Sequence, residues 1–415
     1  MQFVQWQRIS IALAVALLAS GPARADRIQL KIDQGSGPIP GYSTLKGYEK
    51  TIDVSSFQWG VGVAIGSRTG GKPSVASPTV SDITWTQAFD PTYNALGQAL
   101  VSGEDGFKSV FSFVGNGDGK SAPPKYLEMV SEQVAISGLS FSTGGDAPSV
   151  SASQALRKFE MTYAYPTGVK SPDGKSSVTY DGVTNEVVAS GVSGTFGGGT
   201  AASGLYLHFK DASILGESTA KGYENWIALS SAQMGMGIGL TPGPSGGFVA
   251  STPSISELTV TQNFDRAVPQ ILGALLGGRM IDEATLELVQ SSGKGPVTTM
   301  QLVLEDVLLS GLSISSGGER PQVSESLSFS AFTQTIWQIG LDGRRGDASV
   351  FSYDVASNTS SFGGTALPQS VSLPEFGAGM VAPPALASPV PEPHAWALMS
   401  GGIAMLVLLR RRRKA

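Results

Sequence analysis

The chain of 415 residues contains two histidines, His208 and His394, and no cysteine. Soft-metal sites and thiol nucleophiles are built from those residue types, so neither can be assembled here. A serine nucleophile would have to take His208 as its base, since His394 belongs to the C-terminal segment. Residues 115–121, GNGDGKS, fall one residue short of the phosphate-loop spacing, and Ala122-Pro123-Pro124 follows where a helix is required. The better reading is a hairpin turn, whose Asn and Asp oxygens are too few to hold Ca²⁺ alone. Gly235, Gly237 and Gly239 alternate with Met and Ile, which suits a close backbone approach or a bulge better than a nucleotide. Glu305 and Asp306 are neighbours on a predicted strand and point to opposite faces, against a shared acid–base site. The expectation is a non-enzymatic protein with no catalytic, metal-binding or cofactor-binding residues.

Composition bounds the rest. Only 15% of residues are charged, Gly is abundant (53), and Ser and Thr are interspersed with apolar residues, which suits sheets with many turns. The net charge is −5 and the body has no basic patch, so no nucleic-acid partner is expected. Without cysteine, stability must come from burial and strand pairing.

The two ends carry addresses. Arg8, the apolar run IALAVALLAS and Ala23-Arg24-Ala25 form a signal peptide over residues 1–25, with cleavage before Asp26. At the other end, Val390-Pro391-Glu392-Pro393 precedes fifteen largely apolar residues and then Arg410-Arg411-Arg412-Arg413-Lys414. A helix of that length covers roughly 22 Å, short of the ~30 Å hydrocarbon core unless the arginines snorkel. The arginines stay cytoplasmic by the positive-inside rule, which puts the body outside. Residues 367–389, rich in Pro, Ala and Gly, read as a linker. This tail, residues 390–415, resembles the PEP-CTERM sorting signal. The resemblance implies an exosortase-type processing enzyme as partner, transient inner-membrane anchoring, and delivery to the surface or matrix of a Gram-negative bacterium.

Between the ends the chain repeats itself. KGYEKTIDVSSFQWG at 46–60 returns as KGYENWIALSSAQMG at 221–235, and TVSDITWTQAFD at 79–90 as SISELTVTQNFD at 254–265, both offset by 175. SGLSFSTGGDAP at 137–148 returns as SGLSISSGGERP at 310–321, offset by 173. Residues 26–200 and 204–366 are therefore two copies of one domain, each long enough for its own core. Val268, Ile271, Leu272, Leu275 and Leu276 trace one helical face, matched by Tyr93, Leu96, Gly97, Leu100 and Val101. Asp90 and Pro91 fit an N-cap followed by proline at the first helical position. The rest alternates with period two, as in Phe159, Met161, Tyr163, and in Met300, Leu302, Leu304. One short helix with many antiparallel strands reads as a small barrel or sandwich per copy.

The second copy also resembles a known family. Gly216-Glu217-Ser218-Thr219, the Lys-Gly loop with Trp226-Ile227, the strand LTVT, the helix and the strand LEDV at 304–307 follow the order of the Hcp family, tube proteins of type VI secretion systems. The first copy is similar, with Gly41-Tyr42-Ser43-Thr44 and Thr51-Ile52 at the corresponding places. The resemblance implies a mainly β chain of two tandem Hcp-like barrels of antiparallel strands, each with one short α-helix. It further implies homo-oligomeric rings of six barrels, which three such chains would close. Lys46-Gly47-Tyr48-Glu49 and Lys221-Gly222-Tyr223-Glu224 are candidate assembly loops; the alternative is that they only preserve a strand-entry turn. The function expected is an exported structural or assembly protein. The alternative is a surface module recognising exopolysaccharide or another protein.

Overall fold

A computed structural model describes residues 26–364, less 36, 67–72, 118–119, 145–146, 165–173, 192–195, 198, 244–246, 293, 341 and 356. The expected signal peptide, linker and sorting tail lie outside the described residues. The first copy comprises β1 (Arg27–Asp33), β2 (Ile52–Gly62), β3 (Thr79–Val80), β4 (Ile83–Ala88), α1 (Thr92–Ser102), β5 (Phe107–Val114), β6 (Lys125–Ser142), β7 (Ser149–Ala155), β8 (Lys158–Ala164), β9 (Lys175–Asp181) and β10 (Glu186–Ser190). The second comprises β11 (Gly204–Phe209), β12 (Ile227–Gln233), β13 (Met236–Gly237), β14 (Leu240–Pro242), β15 (Phe248–Ala250), β16 (Ser254–Ile255), β17 (Leu258–Asn263), α2 (Val268–Leu276), β18 (Ile281–Ser292), β19 (Gly295–Ser316), β20 (Gln322–Ser328), β21 (Ala331–Ile339), β22 (Arg345–Asp354) and β23 (Thr359–Gly364).

Both copies close into six-stranded antiparallel barrels, so of barrel and sandwich the barrel is correct. In the first, β1 pairs with β5, then β6, β7, β4, β2 and back to β1. In the second, β11 pairs with β18, then β19, β20, β17, β12 and back to β11. Barrels this small are filled by side chains. Phe57 fills the first, meeting Phe111 and Phe113 edge-on at 5.1 and 5.3 Å.

The duplication extends to irregularities. The register of β2 shifts between Val54 and Ser56, and that of β12 between Leu229 and Ser231, 175 residues on. That bulge switches parity: Ile52 and Val54 face inward before it, Phe57, Trp59 and Val61 after it. The long strands β6 and β19 bend at Gln133 (φ 52°) and Asp306 (φ 48°), 173 apart. Before each bend the long strand also carries a second sheet, β8–β9–β10 on residues 127–132 of β6 and β21–β22–β23 on residues 300–305 of β19; after it the strand pairs with the next barrel strand, β7 or β20. The expected cap is displaced by one residue. Helix α1 starts at Thr92, and Asp90 Oδ1 accepts the Thr92 N–H at 2.9 Å from two residues upstream.

The copies are joined edge to edge. Residues 57–62 of β2 pair antiparallel with residues 311–316 of β19, making one continuous sheet of 19 strands. Buried apolar side chains of both copies form one connected cluster. Helix α2 lies against the first copy's outer sheet, where a Cβ on Gly273 would sit 2.6 Å from the Ala189 Cβ. Only glycine permits that approach. Gly273→Val should therefore cost about 1–3 kcal/mol by overpacking, outweighing the ~0.5 kcal/mol of helix propensity it gains. Denaturant unfolding measures this, and an unchanged midpoint would contradict the tight helix–sheet contact.

Candidate assembly site

The two Lys-Gly-Tyr-Glu loops have the same backbone in both copies. Gly47 and Gly222 take φ 81° and 87°, and Lys50 and Asn225 take φ 63° and 66°. Glu49 and Glu224 each accept the N–H of the glycine two residues earlier at 2.9 Å. A side chain at Gly41 or Gly216 would run into the backbone of Thr51 or Trp226, at 2.1 and 2.3 Å. These are strand-entry turns whose repetition has a geometric cause. Lys46, Gly47 and Glu49 are exposed, and the Lys46 ammonium donates to the Lys120 carbonyl. The second loop is held more firmly. Tyr223 stacks on Tyr206 at 4.4 Å, and its hydroxyl donates to Glu287 at 2.5 Å; burial and that carboxylate push the phenol up to about 12. The Lys221 N–H donates to Thr200 O at 3.2 Å, and the Phe196 N–H to Asn225 Oδ1 at 2.8 Å, so this loop fastens the segment between the copies.

The joint between the copies lies elsewhere. Beside the β2–β19 pairing, Phe264 packs on Tyr163 with ring centroids 5.3 Å apart. Arg320 donates to the Tyr163 hydroxyl at 2.6 Å, to Glu217 Oε2 at 3.1 Å and to the Phe264 carbonyl at 2.9 Å. The other Glu217 oxygen accepts the Arg266 N–H at 3.2 Å. Arg266 is buried, donates to Gly216 O at 2.9 Å and Asn225 Oδ1 at 2.9 Å, and lies over the Phe196 ring at 4.3 Å. Full burial raises the Asp265 carboxyl well above the usual range, and Glu217 adds to that. Gln270 reaches Ser176 at 3.3 Å. Sequence reading missed this joint because its members come from both copies. Its one visible signal was α2, apolar nearly all round; all its residues but Gly273 are buried, whereas α1 buries only Thr92, Leu96 and Ala99.

The candidates for chemistry are scattered. His208 on β11 lies 5.1 Å from the Trp226 ring, and burial lowers its pKa. Asp306 is the bend residue of β19 and accepts from Ser330 at 2.8 Å. Its positive φ, rather than simple strand alternation, sets its direction. Gly115 closes its turn by donating to Pro124 O at 2.9 Å, while Asp118 and Gly119 lie outside the described residues. Gly235 and Gly239 sit in the hairpin edge, their N–H groups donating to Ser256 and Ser251 hydroxyls at 2.8 and 2.9 Å. The stretch GPSGG at 243–247 matches G-x-S-x-G, but Gly243 N–H to Gly247 O at 2.7 Å closes a β14–β15 hairpin, and the helix of a nucleophile elbow is replaced by a strand. Among the described residues there is no cluster of three metal-ligating side chains, and no helix is long and apolar enough to cross a membrane.

One titratable group escaped the sequence reading. Glu325 shares the inward face of β20 with Val323 and Leu327, is fully buried, and accepts from Gln262 at 2.7 Å. Burial raises it from 4.5 to about 7. Sealed inside a filled barrel, it cannot meet a substrate. The break in apolar alternation at Val323, Glu325, Leu327 was the available signal.

A family model described as "Type VI secretion system effector, Hcp" matches residues 30–165 and 206–336. None of the curated proteins matches the chain. Among solved structures, a protein titled "Structure of a type six secretion system protein" is 20% identical, covering 39% of this chain and 100% of its own, with a TM-score of 0.36. Hcp1 from Salmonella typhimurium is 21% identical over 39% of this chain and 99% of its own, at TM-score 0.32. The secreted protein Hcp3 from Pseudomonas aeruginosa is 16% identical over 37% and 98%, at 0.25.

Because Glu325 is raised in the folded state, folding binds its proton more tightly than the unfolded chain does. Its ionisation therefore costs stability as pH rises from 4.5 to about 7 and leaves a constant deficit above. Glu325→Gln should be stabilised relative to the parent by about 3 kcal/mol at pH 8, with the gain vanishing near pH 4. Urea midpoints across that range test this, and a pH-independent difference would contradict it.

Proposed function

The chain belongs to the type VI secretion system effector family Hcp, in two tandem copies, and from this we propose that it is an exported, non-enzymatic structural subunit that assembles into rings. The observation that carries the proposal is the joint between the copies. It is head-to-tail: the first copy contributes β2 and its outer sheet, the second contributes β19 and α2. An interface between unlike faces leaves one face of each kind unused at the outer ends of the chain, and repetition around a closed rotation makes a ring. Three chains would supply the six barrels, with true threefold symmetry. Covalent linkage of two barrels raises their effective concentration and lets the two kinds of joint diverge.

In this reading residues 1–25 direct export and are cleaved before Asp26. The tail holds the protein in the inner membrane until an exosortase-type enzyme recognises Pro391-Glu392-Pro393, after which the body reaches the cell surface or matrix. The loops at Lys46 and Lys221 are proposed as contacts between stacked rings. Support for the sorting route comes from the sequence of the two ends.

Two measurements test the proposal. The native mass of the purified full chain, by sedimentation equilibrium, should correspond to three chains; a single chain at tens of micromolar would favour a two-barrel binding module. Glu392→Ala should leave the tail-bearing form in the inner membrane, and unchanged release of a tail-free protein would reject the sorting route.

A further inference from the structure

Among the strand edges left unpaired on their outer sides in the described residues, two belong together. One is the edge of residues 233–237, from β12 into β13, which pairs only with β17 and β16 on its inner side. The other is the stretch 138–142 of β6, which pairs only with β7. Exposed edges of this kind invite another strand. The duplication shows what covers them. Adding 175 to residues 57–62 gives 232–237, and subtracting 173 from residues 311–316 gives 138–143. The two free edges are the counterparts of the two strands already paired inside the chain.

The side chains agree with the backbone. In the internal joint Trp59 opposes Ile314, and both are almost fully buried; Val61 opposes Leu312 likewise. Their counterparts are Met234 opposite Phe141 and Met236 opposite Leu139, apolar pairs again. Phe141 is 57% exposed and Met236 55% exposed in the single chain. The flanking faces behave in the same way. Phe264 is buried on Tyr163, whereas its counterpart Phe89 is 46% exposed, in contact with Tyr93 and Phe141. The counterparts of Tyr163 and Ala189 are Ile336 and Phe362, 48% and 63% exposed. The charged fasteners have no such counterparts: Arg320, Glu217 and Arg266 correspond to Ala147, Tyr42 and Pro91.

We propose that a second copy of this chain occupies these edges by antiparallel strand addition, residues 233–237 of one chain against 138–142 of the next, in the register Met234 to Phe141 and Met236 to Leu139. The inference rests on the structural-subunit reading and specifies its outer joint. The inner joint is held by ionic and hydrogen-bonded side chains. The outer joint is apolar, with backbone pairing supplying direction and alternate side chains supplying register. Apolar pairing without ionic fasteners makes the outer joint insensitive to salt, apart from the general strengthening of burial.

Because the chain has no cysteine, single cysteines report directly. By the internal register of Gly60 with Ser313, Gly235 of one chain faces Ser140 of the next. Both are exposed, and a Cβ at Gly235 meets nothing nearer than the Ser256 hydroxyl at 3.7 Å. Directly opposed residues of an antiparallel pair have Cα atoms about 4.5–5.5 Å apart, within disulfide reach. Full-length Gly235→Cys and Ser140→Cys variants, mixed and oxidised, should give disulfide-linked dimers that neither variant gives alone. Phe141→Asp, introduced into the Ser140→Cys chain, should abolish the link while that chain still unfolds in one cooperative transition, its midpoint lowered only by the loss of the Phe89 and Tyr93 contacts. Oligomers by sedimentation without the mixed disulfide would reject this joint and leave the subunit reading standing. Monomers without it would reject both. A disulfide formed equally well by Ser140→Cys alone would show a symmetric joint and overturn the proposed register.

Discussion

The pairing of residues 57–62 of β2 with residues 311–316 of β19 is the interaction on which the rest of the molecule depends. Each barrel satisfies its own ladder by closing on itself, so neither needs the other for backbone hydrogen bonds. The joint instead uses strand portions that project past closure, where β2 runs on beyond its bulge and β19 runs to its C-terminal end. A hydrogen bond in such a ladder contributes only about 1 kcal/mol net, but an unpaired buried donor or acceptor costs about 1–3 kcal/mol. Once Trp59 and Ile314 are buried by the contact, the pairing between their strands is therefore obligatory. That pairing in turn sets where α2 lies on the first copy's outer sheet.

The same helix in two contexts shows what the contact changes. Helix α2 carries Val268, Ile271, Leu272, Leu275 and Leu276 and places Gly273 against Ala189, small against small. Helix α1 keeps a polar outer face with Asn94 and Gln98 at the surface. Around α2 the second copy carries Glu217, Arg266 and Arg320, whose contacts reach Tyr163 of the first copy and the Phe196 ring between the copies. Arg320 and Glu217 remain partly exposed, so their attraction is screened and serves orientation more than stability. Arg266 is buried and must keep every donor occupied. Its partners Gly216 and Asn225 belong to the strand-entry turn, which ties that turn to the joint.

Much of this architecture is written in local sequence. The two offsets, the helix positions and the alternating strands can all be read without coordinates, because burial on one face leaves a period in the chain. The bulges at Val54 and Leu229 and the bends at Gln133 and Asp306 leave no such period; each depends on which residue the partner strand places opposite. The placement of Asp90 one residue before the cap position is similarly a matter of local turn geometry. The joint was illegible for a different reason. Tyr163, Ser176 and Ala189 look like ordinary strand residues of the first copy, and only Phe264, Gln270 and Gly273, 84 to 101 residues away on and just before α2, make them an interface. Glu325 is the opposite case, an acidic residue legible in the sequence as a break in the inward apolar alternation of β20.

Repetition between chains of the contact seen inside the chain has a direct readout in hydrogen exchange resolved to single amides, compared between concentrated and dilute protein. Outward-pointing amides of residues 138–142 and 233–237 should exchange slowly when the protein is concentrated and rapidly on dilution. Those of residues 57–62 and 311–316 should stay slow in both. Rapid exchange of residues 138–142 at every concentration, beside slow exchange at the inner joint, would contradict it.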